Sequence, residues 1–478
     1  MRSIRSMSFR AVLAIAPLLL APVANAGPLD PPPGPVAPTN KTLDQVRPGT
    51  PIETFPFIVS QPGAYYLTAN SVITGTDDAI IVIARDVTID LGGFALQGPG
   101  PESGISAVRI NASGPNCRVF NGSISGFSTG VTGVAQNTIL EGLRISRCGN
   151  GVNAPASLVS GCTATENTGA GFLITIAEFV LPTDPLAVYT NTPIIQRCAA
   201  VANAQGGFVL PEGSTITDSH AVSNRRFGIS AGPACRVQRC TVTGTLADAS
   251  VGAPGFGITV DTACTVDDCT VRSCESGGIF LASSRNTVRD CSVSLNGGFG
   301  IGGPNSQFGY YARIEGCHVS GTTGPGITVV ADCTIINNVV INNSTIGIQL
   351  NGSANRAEGN TCRGSPDAGI FVAPGAFGCR IKGNDCAANG TVGGAFNFTA
   401  NFVVWGDRNH IEDNTASNGP NVGFFILGQR NTVVSNRAGA NPNVNFYFQT
   451  QNNQGPLIDR SAAGAGIPSS DPAANISY

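Results

Sequence analysis

Four charged residues in two neighbouring segments have side chains suited to acid–base or cation-binding chemistry. They are Asp267 and Asp268, followed further along the chain by Arg289 and Asp290. Carboxylates gathered around a guanidinium could bind a cation such as Ca²⁺, or act as acid and base on a sugar acid. The same residues could instead form a solvated bend whose mixed charges oppose lateral aggregation. We favour the solvated bend and keep the four residues as catalytic candidates.

A second group of side chains has the character of a sugar-binding surface. Tyr310 and Tyr311 lie in a long insertion at 302–312, and Trp405, Asp407 and Arg408 lie in another at 395–409. Further insertions span 173–193 and, with a small and polar composition, 245–253. We predict that all of them emerge from one side of the fold, where the aromatics border a polysaccharide groove. The alternative is that these aromatics cover exposed sheet, and the sequence favours neither.

Both groups belong to a repeat that runs through most of the chain. In NTVRDCSVSLNGGFGI, residues 286–301, Asn286, Cys291 and Asn296 follow one another at equal spacing, and a Gly-Ile step closes the unit. A repeat of this length is the signature of a stacked architecture. The commonest spacing is 20 to 22 residues, and the units start at 88, 118, 138, 158, 194, 215, 236, 265, 287, 313, 334, 356, 380, 410 and 432.

The repeat predicts an all-β fold. Short β-branched runs without helical periodicity indicate short strands separated by tight bends. A chain wound in this way forms a solenoid whose equivalent residues stack about 4.8 Å apart. Asn at an inward bend would hydrogen bond the next Asn as an asparagine ladder, and Cys, a compact buried residue, suits the same place. We therefore expect the fifteen cysteines to be mainly buried free thiols rather than disulfides or metal ligands.

These residues give the chain a resemblance to the right-handed parallel β-helix proteins, the superfold of the pectate lyases. The resemblance rests on the recurring N-[TR]-[VI]-x-x-[NC] and Gly-Ile or Gly-Phe positions across about residues 79–450. The segments FIVSQPGAYYLTAN and DVTIDLGGFALQG also look like the N-terminal part of bacterial exported β-helix proteins, with Gly92 in place of their usual Asn. The resemblance implies a single-stranded right-handed parallel β-helix, and the fifteen repeats imply about fifteen coils.

Two short motifs are similar to those of the polygalacturonases. Asp267-Asp268-Cys269 looks like their paired Asp, and Arg380-Ile381-Lys382 looks like their substrate-binding Arg-Ile-Lys. The family's Asn-Thr-Asp and Gly-His-Gly motifs are missing from the sequence. Both matching triplets also fall where the repeat already demands such residues, so we interpret the match as coincidence.

Composition and the termini limit location and partners. A charged fraction of 12% and a net charge of −3 leave no basic surplus for nucleic acid. Arg2, Arg5 and Arg10 precede an apolar run and Ala24-Asn25-Ala26, which is typical of a signal peptide. No later apolar run is long enough to span a membrane. We predict an exported protein with a signal peptide at 1–26, a Pro-rich linker at 27–40, an N-terminal cap at 41–78, a β-helix at 79–450 and a C-terminal tail or cap at 451–478.

Two functions remain open at this point. The first is an exported polysaccharide-active protein, a lyase, glycosidase or binder, whose partner is an acidic polysaccharide and whose only candidate cofactor is Ca²⁺. The second is a non-catalytic extracellular or surface protein with a structural or adhesive role. The sequence decides neither whether the protein is an enzyme nor its oligomeric state.

Overall fold

The computed structural model describes residues 49–111, 115–176, 192–304, 308–391, 399–449, 451–460 and 470–478. The predicted signal peptide and Pro-rich linker lie outside these residues, as does most of the insertion at 173–193. Within the described ranges the regular elements are all β-strands. No helical stretch there has the length and hydrophobicity of a membrane span.

The strands form three parallel sheets. The first contains β1 (Thr50–Ile52), β3 (Gly63–Leu67), β6 (Val87–Asp90), β9 (Cys117–Ser125), β11 (Thr138–Ser146), β13 (Ala156–Ser160), β16 (Ile194–Gln196), β19 (Thr215–Thr217), β22 (Arg236–Gln238), β25 (Thr265–Asp267), β28 (Thr287–Arg289), β31 (Arg313–Glu315), β34 (Thr334–Ile336), β37 (Arg356–Glu358), β40 (Arg380–Lys382), β43 (His410–Glu412), β46 (Thr432–Val434) and β49 (Asn453–Gln454).

The second sheet shares the long strands β9 and β11 with the first. Its other members are β4 (Ser71–Val72), β7 (Ala95–Gln97), β14 (Thr163–Thr165), β17 (Ala199–Val201), β20 (His220–Val222), β23 (Thr241–Thr243), β26 (Thr270–Arg272), β29 (Ser292–Ser294), β32 (His318–Ser320), β35 (Val339–Ile341), β38 (Thr361–Arg363), β41 (Asp385–Ala387), β44 (Thr415–Ser417), β47 (Arg437–Gly439), β50 (Leu457–Asp459) and β51 (Asn475–Ser477).

The third sheet is an uninterrupted stack with one strand for each turn. It contains β2 (Phe57–Val59), β5 (Ile80–Val82), β8 (Ser106–Ile110), β10 (Thr129–Gly133), β12 (Asn150–Ala154), β15 (Ala170–Ile174), β18 (Gly206–Leu210), β21 (Phe227–Ala231), β24 (Phe256–Val260), β27 (Gly277–Leu281), β30 (Phe299–Gly302), β33 (Ile327–Val329), β36 (Ile346–Leu350), β39 (Ala368–Val372), β42 (Ala400–Val404), β45 (Val422–Ile426) and β48 (Val444–Phe448).

The predicted fold class is confirmed, with about seventeen turns in place of fifteen. Every repeat start found in the sequence falls on a first-sheet strand, from β6 to β46. Parallel pairing continues on both sides of the predicted 79–450 range, because β1 pairs with β3 before it and β47 pairs with β51 after it. In the C-terminal extra turn Asn452 and Asn475 continue the Asn columns, but they lie far apart in the sequence, so the regular repeat of the central turns is not visible there.

The core lies inside the coil and is built from the buried apolar residues at the strand centres. In one turn these are Val266 and Val271 of β25 and β26, both fully buried, and Ile279 of β27. The Gly of each Gly-Ile step has a packing reason. A Cβ added at Gly257 would lie 2.4 Å from Cγ1 of Val271 in the next turn, so a larger residue would displace the core.

Stacked Asn side chains hydrogen bond from turn to turn, which confirms the asparagine ladder in part. The longest run follows the bend between the first and second sheets. There Asn338 donates from its backbone N and its Nδ2 to Oδ1 of Asn360, at 3.0 and 2.9 Å, and Asn360 does the same to Asn384. The run continues through Asn414, Asn436 and Asn475. Cys, Ser and Thr interrupt the equivalent positions elsewhere.

The cysteines behave as the sequence predicted, since all fifteen are free and buried. Cys240, Cys269, Cys291 and Cys317 stack on successive turns in the same column as the Asn run. Their sulfur replaces the amide oxygen as a weak acceptor, because the backbone N of Cys240 donates to Sγ of Cys269 at 3.4 Å. Burial raises the pKa of Cys117 to about 12 and that of Cys333 to about 11. These two thiols are therefore held neutral in the core.

A second column of stacked Asn residues is interrupted at Gly419, and the side chain of Asn401 completes its hydrogen bonds. Gly419 occupies the bend where neighbouring turns have Asn389 and Asn441. Asn401 of β42 points inward instead, accepts hydrogen bonds from Asn389 at 3.1 and 3.0 Å, and donates to Asn441 at 3.1 Å. A Cβ at Gly419 would lie 2.7 Å from Nδ2 of Asn401. Glycine there makes room for the bridging side chain.

Candidate functional site

The catalytic candidates divide between a sheet face and a bend. Asp267 and Arg289 end adjacent first-sheet strands with their side chains outward, and they form an ion pair at 3.2 Å. Arg236 contacts the same carboxylate at 3.5 Å from the preceding turn. Asp267 thus lies between two guanidinium groups, with a side chain that is 14% exposed.

Asp268 and Asp290 lie one residue further on, exposed at the bend, with φ of 52° in each case. This left-handed conformation is favourable mainly for Gly, Asn and Asp. The equivalent bend residues are predominantly of those types: Asp218, Arg239, Gly316, Asn337, Gly359, Gly383, Asp413 and Ser435. Backbone conformation therefore accounts for the recurring Asp without any catalytic requirement. A catalytic role for Asp267, Asp268, Arg289 and Asp290 stays a prediction.

Opposite charges alternate along the outer face of the first sheet, and we call this feature the charge ladder. Its N-terminal part, in register on adjacent strands, is Asp267, Arg289 and Glu315. Its C-terminal part is Glu358, Lys382 and Glu412. Lys382 contacts Glu412 at 3.3 Å and Asp413 at 3.3 Å. Each carboxylate of the charge ladder therefore forms an ion pair with an Arg or Lys of the same chain.

The pKa shifts in the C-terminal part of the charge ladder follow from these contacts. Hydrogen bonds to Glu412 and Asp413 raise the pKa of Lys382. Burial is the largest influence on Glu412 and would raise its pKa, but hydrogen bonds from Lys382, Arg380 and His410 together outweigh it and lower the pKa. Both shifts favour the charged forms, as expected for a mutually paired network. Arg380 and Lys382, which suggested a sugar-acid site in the sequence, are already engaged in it.

The prediction that all insertions leave the same side is wrong. Residues 303–312 lie between a third-sheet strand, β30, and a first-sheet strand, β31, and 175–193 occupy the same kind of corner. The insertion at 245–253 instead separates β23 from β24, and the one in the 380 repeat separates β41 from β42, so both precede a third-sheet strand. The Gly-Ile template placed the insertion of the 380 repeat after the strand because it did not recognise Ala400–Val404 as the strand itself.

The aromatic candidates share one corner of the coil, between the third and first sheets. Tyr310 and Tyr311 are exposed there, and Tyr311 has a left-handed φ of 53°. Four turns further on, Asp407 and Arg408 occupy the equivalent bend, where Asp407 accepts a hydrogen bond from the backbone of Gln429 at 2.7 Å. Trp405 is half-buried and packs edge-on against Phe371, with ring centroids 6.0 Å apart. Their sugar-binding role stays a prediction.

A groove of about 480 Å³ crosses the outer face of the third sheet, and we call it the third-sheet groove. It lies over β30, β33 and β36. Its two ends approach the corners that precede and follow the third-sheet strands. Its walls are Ser276, Gly298, Phe299, Gly303, Pro304, Gly324, Pro325, Thr328, Gln349 and Asn351.

Three polar side chains in the groove are joined by hydrogen bonds. Gln349 donates from Nε2 to Oδ1 of Asn351 at 2.7 Å, and Asn351 donates from Nδ2 to Oγ1 of Thr328 at 3.1 Å. Thr328 and Gln349 point outward because each is in an outward-facing position of its strand, in register on β33 and β36. The bonds fix the orientation of both amides before any ligand arrives.

Aromatic clusters lie on the same sheet face on both sides of the groove. On the N-terminal side, Phe280 contacts Phe256 at 4.6 Å and Phe308 at 5.0 Å between ring centroids, and Phe299 joins them. On the C-terminal side an external apolar cluster, separate from the main core, includes Phe371, Trp405 and Phe425. Of these residues, the sequence predicted only Trp405 and Phe308, through their insertions, to border a sugar-binding surface.

Comparison with known proteins agrees with this architecture. The family profile described as "Right handed beta helix region" matches residues 102–242 and 230–386, which is more than half of the chain. No sequence among the curated proteins matches.

Three solved structures illustrate the resemblance in fold. The A-module of the Azotobacter vinelandii mannuronan C-5 epimerase AlgE6 is 12% identical, with a TM-score of 0.40, over 74% of this chain and 90% of that one. The periplasmic alginate epimerase AlgG is 12% identical, with a TM-score of 0.37, over 72% and 76%. The pectate lyase Pel9A is 13% identical, with a TM-score of 0.31, over 59% and 66%. By its profile match and its stacked parallel strands, the chain belongs to the right-handed β-helix family.

Proposed function

We propose that the protein is exported and binds a polysaccharide along the outer face of the third sheet. The observation that carries the proposal is the third-sheet groove, in which oriented amide and hydroxyl groups lie between two aromatic clusters. Export rests on the arginines, apolar run and small-residue site at the N-terminus.

The arrangement suits a carbohydrate chain for two reasons. Pyranose rings present apolar C–H faces, which pack on aromatic rings such as Phe280 and Trp405. Their hydroxyl groups both donate and accept, as do the amides of Gln349 and Asn351. From Phe280 to Phe371 is four turns, or roughly 19 Å at the strand spacing, which accommodates several sugar units. A site of this kind is concave, largely apolar and crossed by a few placed polar groups.

A binding role without catalysis is the form of this proposal that the charges favour. Of the catalytic candidates, Asp267 and Arg289 are paired with each other on the first sheet, and Asp268 and Asp290 lie at the following bend, where the left-handed backbone accounts for Asp. Asp267 and Arg289 lie on a different sheet from the groove. An adhesive or structural protein that holds polysaccharide would need no further machinery.

Native affinity electrophoresis of the purified protein tests the proposal. Gels would contain one soluble polysaccharide each, and migration would be compared for the wild type, Gln349→Ala and Gln238→Ala. Gln238 is the matched control, because it is an outward-facing Gln on the first sheet. We expect at least one polysaccharide to slow the wild type, and Gln349→Ala alone to weaken the effect roughly 3- to 10-fold, as loss of one hydrogen-bonding group does.

Two results would reject the proposal. One is a panel in which no polysaccharide slows the wild type. The other is equal weakening by both substitutions, which would place the contact away from the third sheet.

A further inference from the structure

We infer that the polysaccharide bound by the third-sheet groove is uncharged, an inference that rests on the proposed function. The described walls of the groove contain no Asp, Glu, His, Lys or Arg. The inference departs from the acidic polysaccharide expected from the sequence.

An acidic polysaccharide would require Arg or Lys side chains, which the described groove walls lack. Carboxylate and sulfate groups are recognised by Arg or Lys, often through paired N–H···O bonds. A charged group brought against aromatic rings without such a partner loses its hydration and gains no ion pair. Of the Arg residues in the neighbouring turns, Arg313, Arg356 and Arg380 lie on the first sheet, and each is paired with a Glu there. Arg363 lies on the second sheet and is paired with Asp385, and Arg285 lies at the bend before β28, outside the groove walls.

The polar groups of the groove match hydroxyl chemistry instead. The bond from Gln349 to Asn351 uses one N–H of the first amide and the oxygen of the second, and the bond to Thr328 uses one N–H of Asn351. Among the described residues this leaves Oε1 of Gln349 and one N–H on each amide for a ligand. A set with both donors and an acceptor complements sugar hydroxyls, whereas a carboxylate would use only the donors.

Matched pairs of polymers with and without charge test the inference in the full-length protein. Suitable pairs are hydroxyethylcellulose with carboxymethylcellulose, dextran with dextran sulfate, and galactan with polygalacturonate. Each would be used in affinity electrophoresis at low salt and at about 1 M NaCl, where the screening length falls to about 3 Å. We expect a neutral polymer to bind with an affinity that changes by less than about twofold with salt.

Variants locate the effect. Gln349→Ala should weaken neutral binding roughly 3- to 10-fold at both salt concentrations, and Gln238→Ala should not. Gln349→Glu, in which the side chain keeps nearly the same shape, should weaken the binding of the neutral polymer by a factor that salt does not change. Melting temperatures of the variants would verify that each remains folded.

The outcomes separate the two proposals. Binding restricted to charged polymers and abolished by salt, but still weakened by Gln349→Ala, would overturn the uncharged ligand and leave the groove as the site. Neutral binding that Gln349→Ala does not affect, or no binding to any polymer, would overturn the proposed function itself.

Discussion

Replacing Asn360 by Leu removes a central link of the longest Asn run while keeping a side chain of similar size. The oxygen of Asn360 accepts two hydrogen bonds from Asn338, at 3.0 and 2.9 Å. Its Nδ2 donates to Oδ1 of Asn384 and to the carbonyl of Ile335, both at 2.9 Å. Asn338, Asn360 and Asn384 are each about 1% exposed, so water does not replace the lost partners.

The cost follows from the groups that lose their partners. Two donors of Asn338, its backbone N–H and one N–H of its side chain, are left buried and unpaired. Each such group costs about 1–3 kcal/mol, which gives about 2–6 kcal/mol for Asn360→Leu. Asn384 is less affected, because its oxygen keeps the bond from the backbone N of residue 360.

Asn360→Cys is the matched variant, because Cys already occupies this column at Cys291 and Cys317. Its sulfur should accept from the backbone of Asn338, as Cys269 accepts from Cys240. We therefore expect a smaller loss of about 1–3 kcal/mol. Urea unfolding followed by circular dichroism would measure the differences, and hydrogen exchange of the amide of residue 338 would locate them. Equal stability of the wild type and Asn360→Leu would refute the reasoning, as would a Cys variant less stable than the Leu variant.

Three further predictions concern charge, pH and the thiols. Lys382→Glu would place a third negative charge between Glu358 and Glu412, so the melting temperature should fall at low salt and recover partly at about 1 M NaCl. A melting temperature that does not depend on salt would contradict the charge ladder. Glu412 has a lowered pKa in the folded state, so its stabilisation is present above its ordinary pKa of 4.5 and is lost as the pH falls through the folded value. Glu412→Gln should therefore lose less stability than the wild type on acidification in urea unfolding, and an equal loss would contradict the pairing. Because all fifteen free thiols are buried and so inaccessible to a reagent, no cysteine should react with a thiol reagent in the native protein at neutral pH, and all fifteen should react after denaturation; mass spectrometry that finds paired cysteines would contradict this.

The sequence was most informative where stacking forces the same residue to recur. Asn286, Cys291 and Asn296 predicted inward bends because only compact side chains fit there, and all three are buried. The Gly-Ile step predicted strand closure because the core of the next turn excludes a Cβ at positions such as Gly257. These requirements apply in every turn, so one sequence is enough to reveal them.

The candidate site was less predictable, because nothing in the stacking dictates what faces outward. Gln349 and Thr328 lie immediately after the Ile of their repeats, in a column that also contains Phe280, Phe371 and Phe425. Following that column would have located the third-sheet groove. The insertion before Ala400–Val404 was misplaced for a related reason. The strand there has Asn401 and Phe402 where the other repeats have Gly-Ile.

Hydroxyl-radical footprinting with the polymer that binds best tests the central claim most directly, because it maps the contact without any substitution. The account predicts protection of Phe280, Phe308 and Trp405 beside the third-sheet groove. His410 on the first sheet and His318 on the second should be oxidised as readily with the polymer as without it. Protection of His410 with no change at Phe280, Phe308 and Trp405 would place the ligand on the charge ladder and contradict the account.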